Sequence, residues 1–315
     1  MKAVVLDDSD QFRVAEMPEP EPGPGQVAIR VAYAGIQWGD VLVRDGHFPA
    51  PRPFIPGFEA AGHVIAVGTG VEHVSVGDPV IALTSSGAYA EVAVAPAVLT
   101  FPASGLDLRT AAASGWTTPT AYELINTVSR VRPGDRVLIH AAAGAVGTMA
   151  AQFARLAGAS TVTGVAGNPA RAAYAASFGY DRLLSRSEFP HALGGESFDV
   201  ILDPVGGPAR RASLNLLAPH GRLAVYGNIA TFEPVTVSAN DLLMTGASLL
   251  TYNSSLLSQT SPARLAEGAR LALESLASGQ VKIDITAEYA MTDLGTAIQE
   301  LADGTTRGKT ILRLA

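Results

Sequence analysis

Between Arg136 and Tyr226 apolar runs of strand length alternate with amphipathic stretches of helical length, and this alternation constrains the fold more than anything else in the chain. Arg136–His140 reads as a buried strand, Gly147–Leu156 as a helix, Thr161–Val165 as a strand and Ala170–Phe178 as a helix. Asp199–Asp203 follows as a strand, Arg210–Leu217 as a helix and Arg222–Tyr226 as a strand. Strands joined through helices pair in parallel, and a parallel sheet must be covered on both faces. The expected class is α/β with a doubly wound parallel sheet.

The flanks follow other rules. From residue 1 to about 110, short β-branched runs are separated by glycine and proline: Ala3–Leu6, Val27–Ala32, His63–Val67, Pro79–Leu83 and Tyr89–Val94. Such spacing predicts an antiparallel β-domain. Pro18–Gly25 is too short for a linker and reads as a stiff loop. Beyond residue 255 come a long amphipathic helix, Pro262–Ser278, a shorter one over Thr292–Ala302 and a strand, Lys309–Arg313. These have no sheet of their own to cover, so this segment is expected to rejoin the N-terminal domain. The expected organisation is 1–115 with 256–315 as one domain and 116–255 as the other, which suits 315 residues better than a single core.

Composition removes several functions. Cysteine is absent, which excludes disulfides, thiolate chemistry and cysteine-ligated metal sites. A net charge of −7 from 22 basic and 29 acidic residues, with no basic block, argues against nucleic-acid partners. No apolar stretch reaches the roughly 18 residues of a membrane helix, and Asp7 and Asp8 interrupt the place where an export signal would continue. The expected location is cytoplasmic, with no membrane partner.

After the strand Arg136–His140 stands Ala141-Ala142-Ala143-Gly144-Ala145-Val146-Gly147, a G-x-G-x-x-G dinucleotide fingerprint with Ala142 at its first glycine. Gly144 would let the backbone approach a pyrophosphate, Gly147 would let the helix pack on the strand, and the helix N-terminus offers amides to the anion. Binders of NAD usually carry an acidic residue about 20 positions further on, at the end of the second strand. Here that strand ends Val165-Ala166-Gly167-Asn168, and no Asp or Glu occurs between Asp135 and Asp181. Arg171 and Arg186 lie close behind instead. Guanidinium groups suit a 2′-phosphate that a carboxylate would repel, so the expected cofactor is NADPH.

Several further segments stand in order along nearly the whole chain. They are Gly35-Ile36-Gln37-Trp38-Gly39-Asp40 with Arg44 and Gly46, Pro56-Gly57-Phe58-Glu59, Val76-Gly77-Asp78, Gly87-Ala88-Tyr89, Pro133-Gly134-Asp135, Asp203-Pro204-Val205-Gly206-Gly207, Tyr226-Gly227-Asn228 and Gly308-Lys309. With the fingerprint they make the chain similar to the medium-chain dehydrogenase/reductase superfamily, and within it to the zinc-independent quinone oxidoreductases related to zeta-crystallin. The resemblance implies a GroES-like β-rich catalytic domain, an inserted Rossmann cofactor domain and a homodimer. By position it implies that Ala143, Gly144, Ala145, Val146 and Gly147 face the pyrophosphate, and that Gly167, Asn168, Arg171 and Arg186 face the adenosine phosphate. Thr120, Tyr226, Gly227, Asn228 and Asn253 would lie along the nicotinamide half, and Lys309 near the cleft. Thr120 as a helix cap and Tyr226 as filler of the sheet end are the competing structural roles.

Zinc-dependent relatives have a Gly-His-Glu motif where this chain has Gly57-Phe58-Glu59. Phenylalanine offers no lone pair, cysteine is missing, and the spacing of His47, His63 and His73 fits no zinc motif. Metal is not expected. Without a Lewis acid, alcohol oxidation is disfavoured, and the chemistry left is hydride delivery to a quinone or an α,β-unsaturated carbonyl compound, with Gln37 and Asp40 as candidates in the acceptor pocket. Leu42 stands where relatives commonly carry tyrosine, which enlarges the apolar wall. Trp38, Phe48 and Phe54 are either pocket or core, and Asp40 and Arg44 form either an ion pair or ligand contacts. A biosynthetic enoyl reductase and a redox-silent NADPH-binding protein are the alternatives.

Overall fold

The computed structural model describes residues 1–48 and 50–314. The chain divides into two compact units, Met1–Pro119 with Ser255–Ala315, and Thr120–Ser254.

In the first unit, β1 (Lys2–Leu6) and β2 (Phe12–Glu16) form an antiparallel ribbon. The long strand β3 (Gln26–Ile36) runs into a short helix, α1 (Trp38–Arg44), and is followed by β4 (Glu59–Val67), β5 (Pro79–Leu83), β6 (Val92–Pro96) and β7 (Thr100–Pro102). Helices α2 (Leu108–Ser114) and α3 (Thr117–Tyr122) lead out of this unit, and a wide turn of helix over Glu123–Val128 continues into the second. The expected strand at Tyr89–Val94 is displaced to β6. Tyr89 instead accepts from the Val4 amide at 2.8 Å and sends its ring inward, where it is fully buried.

The second unit contains β8 (Arg136–His140), α4 (Ala145–Leu156), β9 (Thr161–Ala166), α5 (Pro169–Ala175), β10 (Arg182–Ser185), β11 (Phe198–Asp203), α6 (Gly207–Leu214), β12 (Leu217–Val225), α7 (Ala239–Thr245) and β13 (Ser248–Thr251). Its strands are parallel throughout, in the order β10-β9-β8-β11-β12-β13. That is the doubly wound order of dinucleotide-binding sheets, in which ligands bind beyond the carboxyl ends of the strands. The central strand β8 is apolar and almost wholly buried, as a strand covered on both faces must be. The expected helix over Arg210–Leu217 is α6, displaced towards the N-terminus. The Asp203 carboxylate takes the Val205 and Gly206 amides at 2.6 and 3.1 Å, and Pro208 fixes the first turn directly after them.

The chain then forms α8 (Ser254–Thr260), α9 (Pro262–Ala277), β14 (Ile285–Ala290), α10 (Leu294–Ala302) and β15 (Lys309–Arg313). Strand β15 is parallel to β14 and antiparallel to β3, within the order β14-β15-β3-β4-β5-β7. The chain's last strand is thus the hydrogen-bonded neighbour of its third. No helix of the described residues is long and apolar enough to cross a membrane.

Candidate functional site

The turn after β8 is built from backbone geometry. Ala141 takes a left-handed conformation, φ 54°, which costs a non-glycine residue about 1–2 kcal/mol and persists only where the surroundings enforce it. The Ala142 amide donates to the Val165 carbonyl at 3.0 Å and the Gly144 amide to that of Ala141 at 2.9 Å, which closes the turn against β9. Gly144 is the N-cap of α4 and supplies no side-chain acceptor. The helical ladder starts only with Thr148 donating to Gly144, so the amides of Ala145, Val146 and Gly147 are left to an acceptor outside the helix.

The two glycines do different work. A Cβ at Gly144 would meet only the Ala141 oxygen, at 3.3 Å, and otherwise open space; a Cβ at Gly147 would overlap that oxygen and stand 2.9 Å from the Ala142 Cα. The first leaves room for an approaching anion, and the second seats the helix on the strand. Ala142, at the position of the first fingerprint glycine, has no positive φ; the strain has moved to Ala141. Tyr180 supports the turn from below, its hydroxyl donating to the Gly147 carbonyl at 2.8 Å. It was not singled out from the sequence, where only the need of a buried tyrosine for an acceptor could have marked it.

At the end of β9, Asn168 caps α5 by accepting from the Arg171 amide at 2.9 Å, with Pro169 in the first turn. The cap places Arg171 so that its side chain turns back towards Gly167. A Cβ at Gly167 would lie 3.8 Å from Arg171 Nη1 and 3.8 Å from Arg186 Nη2. Two guanidinium groups therefore flank the strand end. Burial, and secondarily the charge of Arg186, lowers the pKa of Arg171. Positive charge gathered there favours a multiply charged anion over a hydroxyl.

Beyond β12, Arg210 organises the next loop. Its guanidinium donates to Asp203 Oδ2 at 2.6 Å, Asn228 Oδ1 at 3.0 Å and the Gly227 carbonyl at 2.7 Å. Asp203 is fully buried. The Asp-Pro-Val-Gly-Gly segment is thus a clamp that shapes the Gly227-Asn228 loop, with the Asn228 carbonyl end turned to Arg210. Tyr226 buries a hydroxyl that has no partner among the described residues. Thr120 lies inside α3 and not at its start, so it is no N-cap, and Asn253 is exposed between β13 and α8.

Gln37 and Asp40 belong to the first unit, at the start of α1. Asp40 is 1% exposed; its Oδ2 accepts from the Gln37 amide at 2.9 Å and the Tyr89 hydroxyl at 2.6 Å. No ion pair joins it to Arg44, which instead meets Asp45 at 2.7 Å and Gln299 at 3.0 Å. Lys309, also buried, places Nζ 2.5 Å from Glu59 Oε1, while Glu59 Oε2 accepts from the Trp116 amide at 2.7 Å. The ammonium expected near the cleft is thus engaged by a carboxylate of its own unit. Trp38 packs against the core cluster around Val41 and Tyr89, and Phe48 is 44% exposed.

The chain matches the families described as "Alcohol dehydrogenase GroES-like domain" over residues 23–105 and "Zinc-binding dehydrogenase" over residues 145–272. It is 33% identical over 302 residues to the quinone oxidoreductase of Pseudomonas aeruginosa, covering 93% of this chain and 92% of that protein. It is 31% identical over 317 residues to the phthioceranic/hydroxyphthioceranic acid synthase of Mycobacterium tuberculosis, with 98% of this chain covered but only 15% of that protein's length. The Escherichia coli quinone oxidoreductase complexed with NADPH superposes with a TM-score of 0.89 at 27% identity, covering 99% of this chain and 100% of that one. A GroES-like β-domain joined to a Rossmann sheet defines a medium-chain dehydrogenase/reductase. The chain belongs to the zinc-independent quinone oxidoreductase family of that superfamily.

The zinc of the second family description finds no donor set here. Phe58 occupies the histidine position and packs with Leu83, Trp116 and Leu265, Glu59 is committed to Lys309, and among the described residues no three His, Asp or Glu side chains converge on one point.

Proposed function

We propose that the protein is an NADPH-dependent reductase of quinones or activated carbon–carbon double bonds. The observation that carries this is the uncapped N-terminus of α4 behind Gly144, with Arg171 and Arg186 flanking the end of the adjacent strand. The amides of Ala145, Val146 and Gly147 suit the pyrophosphate, and the two arginines with Asn168 suit the 2′-phosphate. Ala143, Gly167, Tyr226, Gly227, Asn228, Thr120 and Asn253 complete the nucleotide's surroundings in this assignment. When bound, NADPH supplies the hydride.

The chain's own contribution is position and polarity. Negative charge develops on the acceptor oxygen as hydride arrives, and the Gln37 carboxamide can donate to it. Leu42 keeps the neighbouring wall apolar and supplies no proton. The test is NADPH consumption against a panel of 1,4-quinones and α,β-unsaturated ketones; tight NADPH binding with inertness towards both classes would overturn the assignment. A biosynthetic enoyl reductase is the second reading, supported by the similarity of 98% of this chain to a segment making up 15% of the acid synthase. Enone turnover with quinone inertness would select it.

Replacing Gly147 by alanine should overpack the turn, cost about 1–3 kcal/mol of stability and weaken NADPH binding at least tenfold. Thermal unfolding and a fluorescence titration check this, and an unchanged affinity would contradict the seating role of Gly147. We further infer a homodimer built on the sheet edge at β13, beside which Leu243 and Met244 are 77% and 84% exposed. A monomer in sedimentation equilibrium would contradict it.

A further inference from the structure

Asp40 holds a place that the proposed chemistry leaves without a task. Its Oδ2 is shared between the Gln37 amide and the Tyr89 hydroxyl, whereas its Oδ1 is buried with no partner among the described residues. A bare oxygen on a buried anion is costly, and a proton placed there removes the charge. Tyr89, itself fully buried, also donates to the Gly35 carbonyl at 3.2 Å, which ties the group to β3.

We propose that Asp40 is a positioning residue that pins the N-terminus of α1 through the Gln37 backbone and thereby aims the Gln37 carboxamide at the acceptor oxygen. This rests on the assignment of Gln37 as the acceptor's hydrogen-bond donor. The capping residue and the third residue of a helix are one turn apart, so a carboxyl on the second directly controls the orientation of the first. Asp40 is too buried to serve as a ligand contact, and its hold on Gln37 is exerted from behind.

Burial pushes Asp40 up to about 7, against the lowering effects of Tyr89, the Gln37 amide and Lys309, and with a smaller raising effect from Glu59. Lys309 and Glu59 neutralise each other. Elsewhere around α1, Arg44 pairs with Asp45, Arg52 donates to the Val43 carbonyl, and on α10 Gln299 accepts from Arg44 while Glu300 accepts from Tyr289. Ionisation of Asp40 therefore adds an uncompensated charge to the cluster. An ionised Oδ1 would compete for the Gln37 carboxamide of the same cap and draw it away from the acceptor.

The test uses the full chain with NADPH and a 1,4-quinone. Asp40→Ala should raise the acceptor KM about tenfold, the worth of one hydrogen bond, with little change in NADPH affinity. In a Gln37→Ala background the same substitution should add less than twofold. Amide exchange at Gln37 should accelerate in D40A. The wild-type KM should rise as pH passes through about 7; Asp40→Asn should recover the KM lost in D40A but abolish this inflection. Should D40A fail to fold, Tyr89→Phe decides, because removal of a hydrogen bond that favours the anion moves the inflection to higher pH. Equal losses from D40A in both backgrounds, unchanged Gln37 exchange in D40A, or an inflection unmoved by D40N and Y89F would each overturn the proposal. If the wild type turns over no acceptor, the functional assignment falls by itself, and Gln37 exchange still decides whether Asp40 holds that residue.

Discussion

Replacing Lys309 by methionine should destabilise the protein by about 3–5 kcal/mol, the loss typical when one member of a buried ion pair is removed. The Lys309 and Glu59 side chains are 2% and 0% exposed, and Nζ lies 2.5 Å from Oε1. The carboxylate is boxed in: a Cβ at Gly35 would overlap Oε1 and one at Gly115 would stand 2.8 Å from Oε2. The orphaned Glu59 is then left in the interior without its counter-charge. Adding Glu59→Gln to the lysine variant should recover much of the loss, since the neutral amide keeps an acceptor for the Trp116 amide. Urea unfolding of the single and double variants checks both points, and a K309M loss below about 1 kcal/mol would show that the pair does not behave as a buried one.

The Arg171→Ala, Arg186→Ala double variant should lose NADPH affinity by about 100-fold or more while its NADH affinity changes little. Hydrogen bonds to charged groups contribute about 1.5–3 kcal/mol each, and the half-buried Arg171 should account for more of this than the exposed Arg186. Calorimetric titration with both nucleotides separates the phosphate from the rest of the cofactor. Equal loss for the two, or a wild type that prefers NADH, would move the 2′-phosphate away from Gly167. Asn168→Asp places a carboxylate at the strand end and should reduce the preference further by repulsion.

The parts of the fold visible in the sequence are those whose physics is local. Strands β5, β8 and β15 occupy the expected ranges because each is an apolar run bounded by turn residues. The strands β2, β10, β13 and β14 lie at sheet margins, where exposed residues such as Thr286, Glu288 and Arg13 break the apolar signal. Helix α1 is seven residues long, too short for a periodic pattern, and its start depends on a carboxyl bonding an amide three residues back. The fingerprint turn was legible because glycine at Gly144 and Gly147 answers a steric demand made within a few residues. The Lys309–Glu59 pair spans 250 residues and the Tyr89–Asp40 bond spans 49; each residue was visible in its own motif, but no local rule joins them.

The place of β15 beside β3 has a consequence for the order in which a nascent chain can fold. The second unit is encoded without interruption, so every strand of its sheet is available once Ser254 has emerged from the ribosome. The first unit must wait for β15, and until then the Tyr33–Ile36 end of β3 shows its amides and carbonyls unpaired on that side, whereas Gln26–Arg30 is already paired with β6. A translational pause or truncation before Lys309 would therefore yield a chain with one finished half and one adhesive edge.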